Sequence, residues 1–139
     1  MCYAVIHTKI SYENPNHHRF PYRSKMNLLQ ILKFVAALGT IATGGLALLR
    51  PNSVTGFTGL KPTGPRGVTE IRAILGGLFI ALGLAPLLLG DTAYQMLGVA
   101  YLGIAVVRAV AMFVLDKSVN QSNNISLIVE IVFGIILVV

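Results

Sequence analysis

TEIRAILGGLFIALGLAPLLLGDTAYQMLGVAYLGIAVVRAVAMFVL, residues 69–115, is two apolar runs separated by one short polar break. Each run is long enough to cross roughly 30 Å of hydrocarbon at about 1.5 Å rise per residue. The break, Gly90-Asp91-Thr92, leaves room only for a chain reversal, so the runs are expected as antiparallel neighbouring helices. Thr69 is placed to cap the first run. Glu70 then falls in the first turn, where the helix dipole favours an anion, and Pro86 comes late enough to bend only the far end.

Two further runs flank this pair. NLLQILKFVAALGTIATGGLALL (27–49) has spanning length, and its Lys33 lies near enough to the end to snorkel toward the interface. That length and that lysine favour a retained helix over a cleaved signal peptide. The last segment, NISLIVEIVFGIILVV (124–139), is short of a full span on its own, so its helix is expected to begin among SVNQSNN, where Asn and Ser can cap it. The expected fold is therefore all-α: an integral membrane, antiparallel up-down bundle of four transmembrane helices, at about 27–49, 69–90, 93–115 and 120–139.

Composition agrees. The chain of 139 residues is 55% hydrophobic and 12% charged, with a mean hydropathy of +0.74, whereas globular domains carry about 25% charged residues. The net charge of +6 would suggest nucleic acid in a soluble domain. Here the Lys and Arg residues sit mainly in the tail and loops, where they set topology or touch lipid head groups, so no nucleic-acid partner is expected. Cys2 is the only cysteine, which excludes an internal disulfide and a thiolate metal site.

Residues 1–25 read as a basic, irregular tail broken by Pro15 and Pro21, and 26–139 as the bundle. His7, His17 and His18 lack ligand spacing and read as solvated tail residues. Met26 directly precedes the first apolar run, so the tail reads either as native or as an upstream extension. The Gly/Pro-rich stretch 50–68 is expected to lie over one membrane face, and it lacks a phosphate-loop pattern. Lys and Arg flank the two membrane sides about equally when the tail is included, which leaves orientation open.

The charges within the spans carry the functional reading. In an up-down bundle, the end of the first helix, the start of the second, the end of the third and the start of the fourth share one side, which gathers Arg50, Glu70, Arg72, Arg108, Asp116 and Lys117 there. Arg108 lies roughly 12 Å inside its helix end and Glu130 about 8–16 Å inside its own, so they fall in one layer. An unpaired charge there costs about 3 kcal/mol on insertion scales, so pairing is expected. Glu130 shares a stripe with Ser126 and Gly134, and Glu70 heads another through Gly77, Ala81 and Ala85; small residues mark faces that meet other helices. These placements predict a polar cluster of Glu70, Arg72, Arg108 and Glu130 inside the bundle, with Tyr101 at its edge. Such a cluster either fixes helix register, or lines a cavity for an anionic or quinone-like head group, or relays protons.

TEIRAILGG, the arginine in VVRAV and the glutamate in VEIVFG together resemble the small integral membrane proteins of the domain-of-unknown-function family 4345, similar in design to DoxX-like four-helix proteins. The resemblance covers roughly residues 27–139. It implies a four-helix membrane bundle, supports singling out Glu70, Arg72, Arg108 and Glu130, and carries no established activity, substrate or cofactor.

No His lies in a span and no nucleophile, base and acid can be assembled, so neither an enzyme nor a bound cofactor is expected. The expected partners are membrane lipids and, for an accessory or scaffold protein, a larger membrane complex or a second copy. The alternative is a protein that binds or transports a small anionic, lipid or quinone-like ligand at the cluster, beneath the loop 50–68. A multi-pass location in a plasma, inner or other energy-transducing membrane is expected.

Overall fold

The computed structural model describes residues 27–139; the tail, with its three histidines and Met26, lies outside them. Among the described residues four helices are long and apolar enough to cross a membrane: α1 (Leu28–Leu49), α2 (Gly64–Leu89), α3 (Asp91–Leu115) and α4 (Gln121–Val138). No strand occurs among these residues. Most side chains on the long helices face outward, as lipid solvation allows.

Backbone contacts set the pairing. A Cβ added at Gly83 would meet Ala37 and Ile41, one at Gly44 would meet Ile80 and Gly76, and one at Gly76 would meet Leu48. Rising numbers in α1 therefore face falling numbers in α2, which makes the two antiparallel. Gly98 lies against Leu137 and Val138, and Gly134 against Leu102, so α3 and α4 run antiparallel by the same test. Small residues permit this close approach, which replaces the hydrophobic drive that lipid removes. A core of Ala36, Leu97, Tyr101 and Leu137, flanked by Leu82 and Phe133, joins the two pairs.

The helix boundaries differ from the sequence expectation in two places. Helix α2 begins at Gly64, five residues before Thr69, because Pro65 occupies its first turn, where a fixed φ and a missing N–H cost nothing. Thr69 is thus inside the helix, its hydroxyl donating to the Pro65 carbonyl (3.1 Å), and Glu70 is past the first turn. Between α2 and α3 only Gly90 is non-helical, at φ 81°, ψ −152°, a conformation open to glycine; Asp91 instead opens α3 at its positive end. At the start of α4 the Asn120 side chain accepts from the Asn123 N–H (2.9 Å) as an N-cap.

Two segments widen into π-type turns, Ile71–Leu78 in α2 and Ala111–Leu115 in α3. The residues that α2 buries are Ile71, Gly76, Gly83 and Pro86. The stripe expected through Gly77, Ala81 and Ala85 is therefore not the packing face: Gly77 and Ala81 are exposed. The π-type turn is the reason, since it takes more residues per turn and puts residues five apart, Ile71 and Gly76, on one side.

The connection between α1 and α2 is ordered. Pro51–Val54 forms a 3-10 turn and Thr55–Thr58 a single α-turn ending at Gly59 (φ 74°). Val54 is fully buried with Ala47 and Ile71, which pins the connection to the ends of α1 and α2.

Candidate functional site

Arg108 and Glu130 meet. Arg108 projects from α3 three residues before the π-type turn, and Glu130 from the middle of α4, where Gly134 lets α3 and α4 approach closely. The Arg108 Nε donates to both carboxylate oxygens (2.9 and 2.8 Å) and Nη2 donates to Oε1 at 2.6 Å. This side-on fork is the strong geometry for an ion pair, because two donors fix the carboxylate plane. Glu130 is buried, with its side chain 11% exposed, while that of Arg108 remains 29% exposed. The acid is enclosed and the base keeps one side open. No hydrogen bond from Nη1 occurs among the described residues.

Tyr101 packs one side of this region. Its ring meets Phe133 edge-on at 5.6 Å, and its hydroxyl lies 2.7 Å from Thr40 Oγ1 in α1. The single Thr40 proton goes to the Ala36 carbonyl at 2.9 Å, so the tyrosine donates and the threonine accepts. Thr40, 1% exposed, is a site residue absent from the sequence reading. Its signal there was weak, because a lone Thr in an apolar helix commonly bonds its own preceding turn. Thr40→Val should lower stability by about 1–3 kcal/mol by stranding the buried tyrosine hydroxyl. Tyr101→Phe, which leaves Thr40 bonded to Ala36, should cost about 1 kcal/mol or less in polar terms. Thermal unfolding in detergent measures both.

The cluster of four charges does not form. Glu70 and Arg72 are exposed, and Arg108–Glu130 is the one salt bridge among the described residues. The stretch Ile71–Leu78 packs mainly on α1, which keeps the start of α2 away from α3 and α4. Arg72 turns to α1 instead, its Nε donating to the Leu48 carbonyl (3.1 Å), one of the last carbonyls of that helix and so without a helical partner. Glu70 borders a shallow apolar depression of about 280 Å³ under Leu60–Thr63.

Beside the ion pair lies an open groove of about 660 Å³. Its apolar end is lined by Ala100, Gly103, Ile104 and Val107, and its polar end by Arg108, Asp116, Ser118 and Asn123. No residue of 50–68 lines it, so the connection does not cover this site as expected; it is held over α1 and α2 by Val54. The groove is thus polar at one end and apolar at the other.

Four helices among the described residues that are long and apolar enough to span a bilayer define a multi-pass integral membrane protein. The chain belongs to the family described as a domain of unknown function, DUF4345, whose profile matches residues 28–139 and so takes in all four spanning helices. No match was found among curated proteins or among solved structures.

Proposed function

We propose that this protein is a membrane-embedded binding protein, without chemistry of its own, that holds a lipid or quinone-like ligand by its head group in the groove beside Arg108. One observation carries the reading: Glu130 holds Arg108 through Nε and Nη2 at the wall of an open groove. A donor fixed in advance by a buried partner loses little freedom on binding. Arg108→Lys keeps a cation for Glu130 but lacks the planar fork. The variant should therefore purify folded in mild detergent and retain about tenfold less co-purifying lipid or quinone by mass spectrometry, the worth of one charge-assisted hydrogen bond. Equal retention by the variant counts against the proposal.

A second reading, an accessory subunit of a larger membrane complex or of a homo-oligomer, rests on Gly45 and Gly103. An added Cβ at either has nothing within 4 Å, so both leave backbone open to a neighbouring helix. Migration with a larger assembly in mild detergent supports it, and an isolated monomer opposes it.

A further inference from the structure

Three cavities that share lining residues follow one another along α3. The groove at Arg108 shares Ala100 and Ile104 with a narrow neck of about 20 Å³ beside Tyr101. That neck shares Leu82 and Leu97 with a third, apolar space of about 340 Å³ that reaches Leu89 and Thr92 at the other end of α2 and α3. The packing accounts for the shape. Phe79–Leu89 of α2 packs on α3 as well as on α1, whereas Ile71–Leu78 packs mainly on α1, so the cleft beside α3 widens toward Arg108, where no α2 residue lines it. From Thr92 to Asp116 the cleft follows nearly the whole of α3, a membrane-spanning length.

The charges at the mouth choose the occupant. Glu130 already balances Arg108, and Asp116, which forms no salt bridge among the described residues, adds a negative charge to the lining. A purely anionic head would set its charge against that of Asp116. A head with both a phosphate and an amine matches the pair of groups: phosphate oxygens accept from Arg108, and the ammonium faces the Asp116 carboxylate.

We propose that the cleft is the seat of a zwitterionic, amine-bearing phospholipid, its head between Arg108 and Asp116 and one acyl chain lying past Ala100 toward Leu82 and Met96. This rests on the reading of the groove as a ligand site and specifies the ligand. The cleft's graded lining supports it: polar at the mouth, almost wholly apolar beyond the neck, as one lipid molecule is.

The test places the full chain in nanodiscs with phosphatidylethanolamine bearing a diazirine at the end of one acyl chain, and maps the photolabelled residues by mass spectrometry. Label is expected on Leu82, Leu97 and Met96, reduced about tenfold by excess unlabelled phosphatidylethanolamine and little by phosphatidylglycerol or a long-chain quinone. Asp116→Asn should abolish that preference over phosphatidylglycerol. Ala100→Phe, which fills the neck, should shift the label back toward Val107. Label spread evenly over outward residues such as Val99, Val106 and Ile128 overturns the proposal. So does stronger competition by the quinone or by phosphatidylglycerol, which nevertheless leaves a ligand site at Arg108 standing. Even labelling together with full ligand retention by Arg108→Lys removes both.

Discussion

Arg108→Ala should destabilise the bundle by about 3 kcal/mol, at the lower end of the range for breaking a buried ion pair. Glu130, 8% exposed, loses all three hydrogen bonds and stays enclosed between α3 and α4. The lower end applies because the arginine side chain keeps 29% exposure, so part of its interaction is already screened. The reverse variant, Glu130→Gln, should cost less. Gln keeps one oxygen that accepts from Arg108, and the arginine, left without a counter-charge on the open side of the pair, can extend toward the polar mouth of the groove, whereas the orphaned carboxylate has nowhere to go. Replacing both, as Arg108→Leu with Glu130→Leu, should return stability to within about 1 kcal/mol of the parent, since apolar isosteres of a buried pair are often neutral or better. Reversible unfolding in mixed micelles orders the three variants. A double variant as unstable as Arg108→Ala overturns this account of the pair.

Gly44→Ala and Gly45→Ala should move stability in opposite directions. A methyl at Gly44 would sit 2.8 Å from the Ile80 nitrogen and 2.9 Å from the Gly76 carbonyl oxygen, both backbone atoms that yield only if α1 and α2 separate. The expected loss is about 1–3 kcal/mol, the usual cost of overpacking. One residue along, the same methyl at Gly45 has nothing within 4 Å and should contribute up to about 1 kcal/mol from helix propensity. Gly134→Ala falls between: its nearest neighbours are Leu102 side-chain carbons, which can change rotamer. The same unfolding measurement applies, and a neutral Gly44→Ala would show that the first helix pair is looser than its backbone contacts imply.

The fold was legible because its signal is coarse. Apolar runs of spanning length separated by short polar breaks leave few arrangements, and Gly90 between α2 and α3 forces reversal. The pairing of Arg108 with Glu130 was legible for an energetic reason: two opposite charges at one depth in hydrocarbon are costly apart. What failed was phase. Position at the start of the second helix puts Glu70 in the cluster and regular α-helical spacing from Glu70 gives its small-residue stripe, but α2 starts at Gly64 and widens over Ile71–Leu78, so its packing face runs through Gly76 and Gly83. Arg72 joined the expected cluster through its position along the chain, while its side chain found the nearer carbonyl of Leu48. Thr40 has no distinguishing signal in the sequence because its role depends on a residue of another helix, and no pattern within α1 distinguishes it from Thr43, which bonds only its own helix.

The widened turn at Ala111–Leu115 acts as an angular correction. From Arg108 to Asp116 a regular α-helix overshoots two full revolutions by about 80°, which would aim the two side chains at different surfaces. Taking more residues per revolution, the π-type segment absorbs most of that excess, and both charges open onto one groove. The azimuth of the carboxylate relative to the guanidinium is therefore written in the backbone, and reversion of this segment to regular α-helical turns at unchanged length would turn Asp116 away from Arg108 by about 80° without touching either.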